Sequence, residues 1–352
     1  MTNNVVSDTV EDVYAQTEAM VGHHYRVDDY YEVGREKVRE YARAVQDYHP
    51  VHWDENTAQE FGYDGLLAPL TFISLVGILA QKRLFDTVVT GYDASQIMQT
   101  DQVLEFHKPI KVGDQLTCEV YLDSFRRAPQ GAGIIVTKNI VTDQNDELVQ
   151  TTYTTLVGRA GEAIDENLEH AVKDVMMHGV GSDAPSHLPK PKLAKGEPAS
   201  AAAAPADAPA SKHARDFDTV SVADELPPRT VRLTRGDLVN YAGVSGDANP
   251  IHWSDTVTKL VDLDNVVAHG MLTMGLGAGF VTSWLGDPGA VREYNVRFTS
   301  PVYVDPQKAA EIEYTGKVKS VDAESKTAVV AITAKFEGRR IFGRATATVK
   351  LA

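Results

Sequence analysis

The chain has 352 residues, 43% of them hydrophobic and 24% charged, which is an ordinary globular composition with room for two or three domains. Its formal net charge of -15 argues against nucleic acid as a main partner, because neutralising phosphates takes dense Lys and Arg. Cys118 is the only cysteine, which excludes an internal disulfide and a cysteine metal cluster. The first residues, MTNNVVSDTVED, are polar and acidic and lack the blocks of a secretory signal. The longest apolar stretch, Leu66 to Leu79, is interrupted by Pro69 and Gly77 and is too short for a membrane span, so a cytoplasmic location is expected. Next in chain order, GREKVREYARAV (34–45) spaces its apolar residues as a helix does, and a loop with Asp47 and His52 follows. An apolar helix is expected over 70–85, then strands near 99–107, 115–125, 132–143 and 147–158. A short helix over 165–179 should end at Gly179 and lead into an Ala/Pro-rich tether over 181–212. The second half repeats the order. A helix over 234–244 is capped by Thr234, a loop carries Asp247 and His252, a buried helix spans 270–285, and strands fall near 291–298, 308–318, 326–336 and 339–350. Three parts result: residues 10–165, a helix and linker over 166–215, and residues 216–352. Each half should be α+β, one long central helix wrapped by an antiparallel sheet.

The two halves read as a duplication of one domain. YARAVQDYHPVHW from Tyr41 and YAGVSGDANPIHW from Tyr241 match at six of thirteen positions at an offset of 200. Fewer than about one match is expected by chance. The matches include Asp47/Asp247, Pro50/Pro250, His52/His252 and Trp53/Trp253, and the register continues to Ala68/Ala268. Farther on, FHKPIKVGD from Phe106 answers FTSPVYVDP from Phe298.

The segment SGDANPIH, with AHG following at Ala268, resembles the signature of the MaoC-like, R-specific enoyl thioester hydratase family. The paired layout is similar to actinobacterial fused (3R)-hydroxyacyl-ACP dehydratases, in which a degenerate hotdog half accompanies a catalytic one. The resemblance implies a double-hotdog fold and reversible addition of water to a 2-enoyl thioester, carried by CoA or an acyl carrier protein. No metal or redox cofactor is expected, because neither half supplies a recognisable metal-ligand spacing. Two hotdogs in one chain already form a pair, so either a monomer or a homo-oligomer fits.

The residue types suit that chemistry on their own. Dehydrating a 3-hydroxyacyl thioester removes a weakly acidic α-proton and protonates a poor leaving group. A carboxylate and an imidazole five residues apart, Asp247 and His252, can meet on one water or hydroxyl. Their spacing leaves open which of them takes the α-proton. Gly270 at the helix start would offer a backbone N–H to the oxyanion and let a substrate approach closely. The resemblance adds Asn249 as a residue that orients the pair or the substrate. The same residues could also build a turn. His269 has no derived role, and Trp53 and Trp253 read as core or pocket walls.

The first half departs from this pattern. Asp47 and His52 remain, but Gln46 stands for the glycine, His49 for the asparagine, and Pro69-Leu70 for His269-Gly270. Leu70 would crowd a thioester, so Asp47 and His52 are expected to be vestigial and this half to hold an acyl chain along a helix broken at Pro69 and Gly77. A phosphate-bearing substrate would need local cations, for which Lys108, Lys111, Arg126, Arg127, Arg292 and Arg297 are candidates. The glycines around Gly275 to Gly279 read as close-packing positions rather than a dinucleotide loop. The alternatives are a hotdog thioesterase and a non-catalytic acyl-binding module.

Overall fold

The computed structural model describes residues 10–27, 29–87, 89, 91–92, 97–128, 131–160, 166–176, 192–196 and 211–352. The helices are α1 (Val10–Ala19), α2 (Arg35–Ala44), α3 (Glu55–Glu60), α4 (Ser74–Thr87), α5 (Glu166–Val175), α6 (Arg235–Ser245), α7 (Asp255–Leu260) and α8 (Gly270–Leu285). The first-half strands are β1 (His23–Arg26), β2 (Tyr31–Glu32), β3 (Met98–Phe106), β4 (Gln115–Arg127), β5 (Gly133–Thr142) and β6 (Leu148–Gly158). They are followed by β7 (Ala194–Lys195), β8 (Glu225–Leu233), β9 (Val291–Phe298), β10 (Ala310–Asp322), β11 (Thr327–Phe336), β12 (Arg339–Arg340) and β13 (Phe342–Lys350). Most of the expected tether, and the expected C-cap at Gly179, lie outside the described residues.

The strands form one antiparallel sheet in the order β7-β1-β4-β5-β6-β3-β9-β13-β11-β10-β8, with β2 on β4 and β12 on β11. The halves join where β3 pairs with β9, Asp101 opposite Arg297 through Glu105 opposite Glu293. Leu104 and Tyr294 face each other in this seam, and both are fully buried. A helix wrapped by each half of the sheet makes this a double hotdog. Alternation builds the layers. In β10, Ala310, Ile312, Tyr314, Gly316 and Val318 are buried while the residues between them are exposed.

β8 was not expected as a strand, because Pro227 and Pro228 interrupt its pattern. It lies at the end of the sheet, where a proline without an N–H costs no ladder bond, and it still buries Leu226, Val231 and Leu233. Thr234 caps α6 as expected, completing a capping box with Asp237.

The central helices differ. α8 starts at Gly270, but α4 starts at Ser74, four residues later in the repeat register. The residues between form tight turns instead, with Phe72 N–H on Pro69 O at 2.9 Å and Ser74 N–H on Thr71 O at 3.0 Å. The β-branched and aromatic run Thr71-Phe72-Ile73 favours this over α-helix. Gly77 is not a break: it lies inside α4, with Asn139 Nδ2 3.9 Å from where its Cβ would be. The interiors differ too. Buried positions of β5 and β6 mix Thr137, Asn139, Gln150, Thr152 and Thr154 with Ile135, Val141 and Leu156, whereas β11 and β13 bury Val330, Ile332, Ala345 and Ala347.

The glycines of α8 are contact points. A Cβ on Gly275 would lie 2.7 Å from Val45 Cγ1, one on Gly277 would lie 2.6 Å from Tyr294 Oη, and one on Gly279 would lie 3.4 Å from the Asp47 carboxylate. Tyr294 is fixed, since its hydroxyl donates to Met274 O at 3.0 Å. Gly277→Ala should therefore cost about 1–3 kcal/mol by overpacking, despite alanine's better helix propensity, as read by denaturant unfolding.

Candidate active site

Asp247 and His252 lie on the loop between α6 and α7. Gly246 ends α6 with a φ of 81°, a left-handed turn that glycine makes without strain and that aims the next residue off the helix axis. Asp247 Oδ1 accepts the Asn249 N–H at 3.3 Å, and Asn249 Oδ1 accepts the Ile251 N–H at 3.2 Å. Asn249 thus caps the 3-10 turn Pro250–His252 that carries the imidazole. The Trp253 indole N–H donates to Ala248 O at 3.2 Å and closes the loop.

His252 Nδ1 donates to Val267 O at 2.7 Å. This bond fixes the tautomer and leaves the Nε2 lone pair facing Asp247 Oδ2, 3.9 Å away. The Asp247 side chain is 34% exposed while that of His252, at 10%, is largely buried, so the pair meets solvent through its carboxylate. The gap is too long for a direct hydrogen bond and suits a shared water or hydroxyl.

His269, to which sequence reasoning assigned nothing, ties α8 to this loop. Its ring stacks on His252 with centroids 3.7 Å apart and planes at 24°, and its Nε2 donates to Asp247 O at 3.2 Å. It is also the residue before Gly270, so the open N-terminus of α8 is held beside the pair. Its place next to the helix-start glycine was the available signal. A Cβ on Gly270 would meet only the Phe298 ring at 3.4 Å, an ordinary contact, so packing does not demand glycine there.

Asp247, His252 and His269 bring their ligand-type atoms within 4.8 Å of one another. Their two rings stack nearly parallel, an arrangement that does not converge both imidazole lone pairs on one tetrahedral ion.

Burial holds the His252 imidazole below its ordinary range, against the upward pull of Asp247. Burial, reinforced by neighbouring His252, holds His269 well below it. The unfolded chain therefore binds more protons than the folded one below about pH 6.5. The stability due to these neutral rings is complete above that value and is lost as pH falls through it. The denaturation midpoint should drop between about pH 7.5 and 5.5, and His269→Gln should shrink the drop.

The first-half pair has the same build with the opposite exposure. His52 Nδ1 donates to Leu67 O at 2.7 Å, and His52 Nε2 is 3.4 Å from Asp47 Oδ2. Here the side chains are 0% and 5% exposed. His49, in the place of Asn249, donates through Nε2 to Gly286 O at 2.7 Å in the other half and packs edge-on against His52 and Phe61. The Asp47 carboxylate is closed off by α8 at Gly279. Burial opposes ionisation of Asp47, but His52 and the His49 N–H outweigh it and hold its carboxyl below the usual range. Gln46 adopts the left-handed φ of 50° that Gly246 takes more cheaply.

Among the candidate cations, Lys108 is paired with Asp143 and Glu147, Lys111 with Asp64, and Arg297 lies 3.8 Å from Asp101. Arg127 lies over the Tyr14 ring. Arg292 has no carboxylate within ion-pair distance among the described residues and donates only to Gly289 O.

Comparison with known proteins agrees with this architecture. A MaoC-like domain matches residues 220–335 and a FAS1-like dehydratase domain region matches 19–152. A solved MaoC-like dehydratase is 48% identical with a TM-score of 0.87, over 96% of this chain and 100% of that one. The chain belongs to the MaoC-like dehydratase family. A UPF0336 protein of Mycobacterium tuberculosis is 57% identical over 143 residues, 41% of this chain and 90% of the relative. A conserved hypothetical protein of the same organism, described as a double hotdog, is 14% identical with a TM-score of 0.59 over 94% of this chain and 96% of its own, a likeness of fold alone. Among the described residues, no helix of this family member is long and apolar enough to cross a membrane.

Proposed function

We propose that the chain is a hydro-lyase interconverting (3R)-hydroxyacyl and trans-2-enoyl thioesters of CoA or acyl carrier protein in fatty-acid metabolism, at a single site in the second half. The observation that carries this reading is the Asp247–His252 pair, open to solvent at its carboxylate, beside the N-terminus of α8. In hydration, water held between Asp247 and His252 loses a proton to the pair as its oxygen bonds to C3. The pair returns a proton to C2, so none is consumed overall. Dehydration is the reverse, with the pair taking the α-proton and protonating the leaving hydroxyl. Charge building on the thioester oxygen is met by the Gly270 N–H, which as a first-turn donor has no partner within its helix. His269 positions both parts, and Asn249 holds the turn that presents His252.

The test follows enoyl thioester absorbance with the full chain and crotonyl-CoA, then longer enoyl thioesters, alongside a free-thiol assay. Loss of the enoyl band with a (3R)-hydroxy product and no thiol is the expected result. Thiol release without hydration would establish a thioesterase instead, and no change on either carrier would leave a binding module.

A further inference from the structure

A cavity of about 360 Å³ opens over the first half, at the place corresponding to the proposed thioester position of the second. Its walls include Pro69 and Leu70, which stand where His269 and Gly270 stand in the other copy, and the segment Pro288–Arg292 that follows α8. The volume is within the range of small-molecule sites.

Two features of its wall ask for a ligand. Gln150 is 1% exposed, and neither its Nε2 nor its Oε1 has a hydrogen-bond partner. A buried amide left unpaired is destabilising, and it is satisfied best by a group that both donates and accepts, such as another amide. Arg292 and Lys212 line the same cavity, and neither has a carboxylate within ion-pair distance among the described residues. In a chain of net charge -15, two cations on one cavity that lack a carboxylate partner among the described residues favour an anion. Lys108, on the same wall, is already neutralised by Asp143 and Glu147 and adds little.

We propose that this cavity is a second, non-catalytic binding site for a phosphopantetheine arm, its amides on Gln150 and its phosphate toward Arg292 and Lys212. The choice of phosphopantetheine, rather than any amide-bearing phosphate, rests on the thioester reading above. Turnover is excluded there by construction. Leu70 replaces the oxyanion glycine, and Asp47 and His52 are sealed from solvent. The degenerate half then acts as a holding site for a carrier arm, supplied by free CoA or by a carrier protein.

The experiment is calorimetric titration of the full chain with CoA and, separately, with a phosphopantetheinylated acyl carrier protein. Two binding events per chain are expected. Gln150→Leu and Arg292→Glu should each weaken one event by at least about tenfold and leave crotonyl-CoA hydration within about twofold of wild type. Gln150→Leu should fold at least as stably as wild type, since it replaces an unpaired buried amide by an apolar group of similar size. An extra event with either ligand supports the site and names its source. A single event with both ligands, or loss of hydration together with binding in Arg292→Glu, overturns it. Two events without any hydration would sink the hydro-lyase reading and leave the cavity site standing. Hydration with one event would do the reverse.

Discussion

Asp247→Asn is expected to lower hydration of crotonyl-CoA by about 10²–10⁴-fold while leaving the melting temperature nearly unchanged. The amide keeps the size of the carboxylate and can still accept the Asn249 N–H through its oxygen. It cannot accept a proton from the bound water. Because the side chain is one-third exposed and 3.9 Å from His252, it contributes little to folding. The loss should fall on kcat more than on KM, since the interaction removed is one made in the transition state. His252→Gln should match it in magnitude, and the double variant should lose little more, because the two side chains act on one water. Full activity in Asp247→Asn would remove the second-half pair from the mechanism.

His52→Ala, the equivalent change in the first half, should show the reverse: activity retained and stability lost. His52 is completely buried, donates to Leu67 O, and helps hold the Asp47 carboxyl in its charged form. Removing it leaves a cavity, an unpaired carbonyl and a buried carboxylate without its imidazole. Breaking such a pair from one side costs about 3–5 kcal/mol. Denaturant unfolding should show that loss, with turnover per folded molecule within about threefold of wild type at a temperature well below melting. Loss of turnover in a fully folded His52→Ala protein would instead place the first-half pair in catalysis.

The contrast between these variants marks where the sequence stops being readable. Asp247, Asn249 and His252 lie within six residues, and their geometry is set by local rules: a left-handed glycine at 246, an asparagine cap and a proline that starts a 3-10 turn. Such short-range preferences can be read from adjacent letters, as can the alternation of β10 and the apolar run of α8. The same local rules apply to Asp47 and His52, so they could not show that this pair is sealed. The sealing comes from His49 reaching Gly286, 237 positions away, and from α8 pressing Gly279 against Asp47. Pro227 and Pro228 hid β8, because prolines in a strand are confined to sheet edges and irregular pairings, and both conditions met here, the sheet's end and a register shift against β10, are set by strand pairing. The stacking of His269 on His252 and the meeting of Gln150 with Arg292 at one cavity likewise join segments far apart in the chain. The sequence by itself determined the duplicated α+β design and the residues able to handle a proton. Only the tertiary structure decided which copy meets solvent, because exposure depends on what the opposite half lays over each loop.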